Sequence, residues 1–177
     1  MTERFPADPR TATASPACPL VVDLDGTLIR SDLLVESFFV LLTLNPMAAV
    51  QAVGALVHGK AAMKARLADE AILELHNLPF DADVLAYLRA EKAKGRRLYL
   101  ASATDRRIVL GVAEHVGVFD GAFGSDGTVN LSGPRKADLL CREFGEHGFD
   151  YIGNADVDSA VWNRCATPIA ANASPAL

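Results

Sequence analysis

The chain has 177 residues, half of them apolar and 22% charged, with a mean hydropathy of +0.18. That length makes one domain with a core of its own, and that composition excludes disorder for most of it. A net charge of −5 with only 17 basic residues argues against a nucleic-acid backbone as the partner. Cys18, Cys141 and Cys165 are an odd, unpatterned set that suggests neither a disulfide framework nor a zinc site. A reducing cytoplasm is the expected compartment. The opening MTERFPADPR lacks the apolar stretch of a signal peptide.

Residues 1–17, rich in Pro, Ala, Thr and Ser without periodicity, read as a flexible tail. Leu20-Val21-Val22-Asp23-Leu24 is the first buried strand, ending in a turn at Asp25-Gly26-Thr27. Residues 32–77 are helical in pattern. From Ser37 to Gly59 there is no Asp, Glu, Lys or Arg, a run long enough to span a bilayer. Asn45-Pro46 interrupts it, because Asn caps a helix and Pro favours its first position. The run therefore reads as two helices, each too short to cross. A third helix is expected from Lys60 to about Leu75, with Met63, Leu67, Ala71 and Leu75 on one face.

After residue 77 strands and helices alternate. Asp81 caps a helix carrying Val84, Leu85 and Leu88, which Gly95 stops. Arg97–Ala101 is a strand, Asp105–Val116 a helix, and Ala122-Phe123-Gly124 a short strand. Gly127 falls in a turn, and Val129-Asn130-Leu131 reads as extended. A helix from Lys136 to Phe144 leads to the strand Tyr151-Ile152-Gly153. A last helix, Ser159–Cys165, precedes the strand Pro168–Ala171. This order predicts an α/β fold, a doubly wound parallel sheet covered on both faces. Residues 18–31 and 78–177 form its core, and 32–77 are a helical insertion above it.

In such sheets ligands collect at the carboxyl ends of the strands. Polar residues stand at three of those ends: Asp23 and Asp25 with Thr27, then Ser102-Ala103-Thr104, then Asn154 to Asp158. Lys136 opens the helix before the third. Two carboxylates, a hydroxyl, a lysine and a further carboxylate suit phosphoryl transfer. A carboxylate can attack phosphorus to give an aspartyl-phosphate. Asp25 is placed to act as general acid and then general base. Ser102 and Lys136 would hold the phosphate oxygens, with Thr27 and Ala103 beside them. Mg²⁺ accepts hard oxygen ligands of this kind.

These residues resemble the haloacid dehalogenase (HAD) superfamily. VVDLDGTLI is similar to its first motif, hhhDxDGT. Ser102, Lys136 and an acidic group after Tyr151-Ile152-Gly153 fall in the second, third and fourth motif positions, in order. The resemblance covers about residues 19–173. It implies a Rossmann-like core with a small C1-type cap at 32–77, Asp23 as nucleophile and Asp25 as acid/base. It further implies Mg²⁺ held by Asp23, the Asp25 backbone carbonyl and the fourth motif. That motif departs from its usual Gly-Asp: Asn154 follows Gly153, and Asp158 stands four residues on. Asn154 is then either a neutral metal ligand or the cap of the last helix, with Asp158 as the compensating ligand and Asp156 offset from both.

DLDGTLIRSDLLVESFF, LASATDRRIV and DYIGNADVDSAVW are also similar to the HAD domain preceding UbiA-type prenyltransferases. That likeness implies a polyprenyl-linked phosphate as substrate, a membrane-embedded prenyltransferase as partner and a place at the cytoplasmic membrane surface. The expected function is a Mg²⁺-dependent phosphomonoester hydrolase. Its alternatives are a phosphotransferase or mutase with the same intermediate, or a weakly active domain docked on a prenyltransferase. Arg106 and Arg107 read as solvated surface beside the site. His58, His76, His115 and His147 have no metal spacing, and Cys141 and Cys165 read as inert.

Overall fold

Alternation along the central strands builds two cores, one on each face of a single sheet. In a computed structural model, residues 3–4, 18–70, 77–126 and 128–172 are described. The strands are β1 (Glu3–Arg4), β2 (Leu20–Val22), β3 (Leu98–Asp105), β4 (Gly121–Ser125), β5 (Asp150–Gly153) and β6 (Pro168–Ala170). Their order is β1-β4-β3-β2-β5-β6. All pairings are parallel except that of β1, which lies antiparallel on the edge of β4. Glu3–Arg4 thus form a strand within the expected tail; the rest of that tail lies outside the described residues.

Leu20, Val22, Leu98 and Leu100 point to one face, where Val84 and Leu88 of α4 (Ala82–Ala93) and Val109 and Val112 of α5 (Arg106–Val116) cover them. Val21, Tyr99, Ala101 and Tyr151 point to the other, under Ala137 and Leu140 of α6 (Pro134–Phe144) and Val161 of α7 (Ser159–Trp162). The period of two puts successive side chains on opposite faces, so a central strand buried on both sides reads as a continuous apolar run.

Between β2 and α4 the chain leaves the sheet as α1 (Leu33–Leu44), α2 (Pro46–Gly54), a 3₁₀ turn (Ala55–His58) and α3 (Lys60–Glu70). Asn45 caps α2 by accepting from the Ala48 N–H at 3.1 Å, with Pro46 at the first position. Leu41, Ala48, Ala49, Ala52 and Leu67 form a small core of the insertion, packed by Phe38 and Met63. Its outer surface is apolar as well. Phe39, Leu42, Leu44, Met47, Val50, Val53, Leu56 and Val57 are all at least 40% exposed. Among the described residues no helix is long and apolar enough to cross a membrane. The insertion closes at its base, where Arg30 N–H donates to the Pro79 carbonyl and Asp81 N–H to that of Leu28.

Some boundaries differ from the expected ones. β3 runs on to Asp105, which pairs with Ser125 beyond an irregularity in the register. α6 begins at Pro134, after Gly133 at φ 53°. Val129–Leu131 form no strand, because Asp126 Oδ1 accepts from the N–H groups of Thr128 and Val129 and turns the chain. The last helix stops at Trp162, three residues early, and the following turns bring Ala166 N–H to the Phe149 carbonyl. The third helix of the insertion is described only to Glu70; Ala71, Leu75, His76 and the turn residue Gly127 lie outside the described residues.

Candidate active site

The site begins where β2 ends. Beyond Val22 the chain turns through Asp23–Thr27, held by Thr27 N–H and Ile29 N–H donating to the Leu24 carbonyl. Gly26 has φ 75°, and a Cβ there would lie 2.2 Å from the side-chain nitrogen of Asn154. Only glycine allows both the left-handed turn and this approach of the β5 loop. Asn172 closes the turn from the other side, donating to the carbonyls of Gly26 and Thr27 and to Asp81.

Asp23 is buried. Its Oδ1 accepts from Lys136 Nζ at 2.6 Å, and its other oxygen carries no hydrogen bond among the described residues. Lys136 stands in the first turn of α6, and its buried side chain also donates to the Tyr151 hydroxyl at 2.9 Å. That hydroxyl donates to Asp158 Oδ1 at 2.8 Å. Burial pushes the Asp23 carboxyl up to about 6, with Lys136 opposing the rise and Asp158 and Asp25 adding to it. Burial pulls the Lys136 ammonium down, but the charges of Asp23, Asp158 and Asp25 together hold it above its ordinary value. The chain Asp23–Lys136–Tyr151–Asp158 is a continuous buried network. In such a network each group depends on its neighbours for satisfaction.

Asp25 is fixed from the insertion side. Its Oδ1 accepts from Leu33 N–H at 2.8 Å, and Oδ2 accepts from the hydroxyls of Ser102 and Thr104, each at 2.9 Å. Asp23, Asp25, Ala103, Thr104, Lys136 and Asn154 line one cavity of about 470 Å³, together with Arg30, Ser31, Asp32, Lys64, Ser132 and Val157. The structure therefore brings together five of the candidate site residues, Asp23, Asp25, Ala103, Lys136 and Asn154. Three others sit behind the lining. Ser102 is fully buried with its hydroxyl on Asp25. Thr27 is fully buried and donates to Asn154 Oδ1 at 3.2 Å. Asp158 is enclosed with both oxygens in use: Oδ1 takes the Tyr151 hydroxyl, and Oδ2 takes the N–H groups of Asn154 and Ala155. It pins the loop after β5 and does not face the cavity.

Arg107 pairs with Asp105, reaches Asp69 and donates to the Ala65 carbonyl at 3.0 Å, which ties α5 to α3. His58 is exposed, His115 stacks on Phe80, and His147 bonds the Cys165 carbonyl. Burial raises the thiols of Cys141, to about 11, and Cys165. Two site groups had no sequence signal. Tyr151 reads as a core position of β5, and Lys64 as one more charge on an amphipathic helix.

No protein-family model matches the chain. It is 38% identical over 148 residues to the uncharacterized protein y4nM of Sinorhizobium fredii. That match takes 84% of this chain and 28% of that protein, so the chain spans little more than a quarter of this relative's length. Among solved structures it is similar to a phospho-aspartyl intermediate analogue of phosphoserine phosphatase, with TM-score 0.61 and 14% identity over 92% of this chain and 90% of that one. A HAD-family hydrolase from Salmonella enterica serovar Typhi gives 0.62 at 16% identity, over 91% of this chain and 65% of that one. A protein of unknown function from Bordetella pertussis gives 0.68 at 18% identity, over 92% and 93%. The chain has the fold of the haloacid dehalogenase hydrolases and phosphatases. Within that fold it carries five parallel strands and a helical insertion after the first of them.

Proposed function

We propose that the chain is a HAD-family phosphomonoester hydrolase that works through an aspartyl-phosphate on Asp23. One observation carries this reading: Asp23, paired with Lys136 at 2.6 Å, shares a cavity with Asp25 at the carboxyl end of β2. The second oxygen of Asp23 attacks phosphorus, and the ester bond breaks toward the alcohol oxygen, which takes a proton from Asp25. Water then gives its proton to Asp25 and its oxygen to phosphorus, releasing phosphate and restoring Asp23. Lys136 opposes the charge on the phosphoryl oxygens. Asp25 enters the cycle carrying the proton it took from water in the preceding turnover, so one of the three donors that its oxygens accept from must give way while that proton is held. Ser102 and Thr104 act in this reading as positioning residues for Asp25.

Among the described residues no cluster of three or more His, Cys, Asp or Glu is placed to hold a metal. The donors that face the cavity are oxygens, however, and Mg²⁺ takes one or two carboxylates with the substrate phosphate. Asp23, the Asp25 carbonyl and the Asn154 carboxamide would hold it. When bound, Mg²⁺ would neutralise phosphate charge beside the nucleophile. The test is a phosphomonoester screen with and without Mg²⁺, comparing wild type with Asp23→Asn. Loss of a covalent nucleophile costs on the order of 10⁴–10⁶ in kcat. A folded Asp23→Asn variant keeping a tenth of the activity would end this reading.

A second reading rests on the apolar outer face of α1 and α2. The large side chains exposed there, with Leu56 and Val57 on the 3₁₀ turn that follows, favour contact with a lipid-linked phosphate or a membrane-embedded prenyltransferase, since soluble monomers rarely expose large apolar patches. The cavity itself is polar, so a prenyl chain would run over the insertion and not into the site. Co-sedimentation with liposomes, with and without a polyprenyl phosphate, tests it. Wild type should sediment and Phe39→Ser/Val57→Ser should not; equal behaviour of the two removes the lipid reading.

A further inference from the structure

We propose that Lys64 reads the alcohol part of the substrate, selecting phosphomonoesters in which that part carries an anionic group. The inference rests on the phosphatase reading and adds the substrate class. Lys64 projects from α3 of the insertion into the cavity that holds Asp23, Asp25 and Lys136. Its ammonium donates to the Ala103 carbonyl at 2.7 Å and, at the limit of a hydrogen bond, to Asn130 Oδ1 at 3.4 Å. Both acceptors are neutral. Ala103 does not need this bond, because its carbonyl also accepts from the Ser125 hydroxyl at 2.6 Å. An ammonium has three protons to give, so Lys64 keeps capacity for a further acceptor.

The other two cations in the lining are already matched. Lys136 is paired with Asp23 at 2.6 Å and Arg30 with Asp81 at 2.9 Å. Burial pulls the Lys64 ammonium below its ordinary value, while Asp25 and Asp32 oppose the shift. An anion arriving beside it would offset the cost of keeping that charge out of water. The remaining walls point the same way. Gly26, Ala103, Ala155 and Val157 are the apolar contributors, and no aromatic side chain lines the cavity among the described residues. Such walls suit a small polar alcohol better than an aryl or prenyl one. The anionic group is a carboxylate or a second phosphate, and the two sources need separate measurements.

The experiment compares wild type, Lys64→Met and Lys64→Arg on three esters: phosphoglycolate, ethylene glycol bisphosphate and ethyl phosphate. The first carries a carboxylate where the third carries a methyl group, and the second carries a phosphate joined through oxygen to the carbon at that place. Methionine keeps the apolar stem that packs in the insertion while removing the charge. Lys64→Met should lower kcat/KM on the preferred anionic ester by about 10- to 100-fold, the range for losing one charged hydrogen bond. Ethyl phosphate should change less than about threefold, below half a decade, and Lys64→Arg should restore part of the difference. Whichever anionic ester loses more identifies the group. Arg107→Ala, which cuts a second tie between α3 and the core, should leave the ratio of anionic to neutral ester unchanged. An equal loss on all three esters, or the same change of ratio in Arg107→Ala, would make Lys64 a structural latch and overturn the proposal while the phosphatase reading stands. If wild type cleaves none of the esters in the wider screen, both readings fall together.

Discussion

The backbone N–H of Leu33, the first residue of α1, donates to Asp25 Oδ1 at 2.8 Å. The insertion therefore starts on the carboxylate assigned to proton transfer. Any displacement of α1 is felt at Asp25, whose second oxygen is held among the described residues by the hydroxyls of Ser102 and Thr104. Thr104→Val removes one of those donors and keeps the shape of the side chain. We expect kcat to fall by about tenfold with little change in KM, since one hydrogen bond to a charged group is worth at least 1.4 kcal/mol. Steady-state kinetics on any hydrolysed ester checks this, and an unaltered kcat would leave Thr104 as packing alone.

Tyr151→Phe cuts the buried network at its middle. Lys136 loses one acceptor and Asp158 Oδ1 loses its hydroxyl donor. Leaving a buried carboxylate oxygen without its partner costs about 1–3 kcal/mol. Denaturant unfolding should show that loss. Activity should fall with it, because the β5 loop that carries Asn154 hangs from Asp158. A variant as stable as wild type would mean that Asp158 finds a replacement donor.

Asn154→Asp should tighten Mg²⁺, because a charged oxygen replaces a neutral one next to a hard cation. Its Oδ1 takes the Thr27 hydroxyl at 3.2 Å, a bond a carboxylate would also accept. Calorimetric titration with Mg²⁺ gives the answer without reference to turnover. Unchanged affinity would take position 154 out of the metal site.

Asp81 offers a test of stability against pH. The Val84 N–H, then Arg30 and Asn172, hold its carboxyl down at about 2, against an ordinary value of 3.8. A depressed carboxyl stabilises the folded chain above its ordinary value and loses that contribution as pH falls toward the folded one. Asp81→Ala should thus cost about 1 kcal/mol near neutral pH, the usual worth of a helix cap. The gap to wild type should close between about pH 4 and pH 2. A gap independent of pH over that range would show that Asp81 acts by packing.

Much of this arrangement is legible in the sequence, for a physical reason. Strands buried on both faces must be apolar throughout, so Leu20–Val22 and Tyr151–Gly153 announce themselves, and the polar residues after them mark the rim. Asn45-Pro46 and Asp81 declare helix starts through their side chains alone. What stays hidden depends on tertiary distance. Nothing local says that the Ser102 hydroxyl faces Asp25, 77 positions away, and not the cavity. Nor does spacing reveal that Asp158 is consumed by its own loop, since Gly-Asn with an Asp four residues on fits a ligand as well as a brace. The Tyr151 hydroxyl is invisible because alternation reports which face a residue takes, not what its far end touches. The outward turn of Phe39, Leu42 and Val50 is unreadable because Glu36, Ser37, Thr43 and Gln51 are too few among the apolar residues of α1 and α2 to mark a polar stripe.

The two hydrogen bonds at the base of the insertion, Arg30 to Pro79 and Asp81 to Leu28, join chain segments about fifty residues apart in sequence. The entropy of closing that loop is met at the neck, by backbone groups whose pairing is indifferent to what lies beyond them. The insertion is therefore a detachable module. Helices of other length or polarity could be grafted between Leu33 and Leu78 without disturbing the sheet, because Leu33 packs in its core and gives its N–H to Asp25. The same scaffold could in this way change clientele while its chemistry stays put.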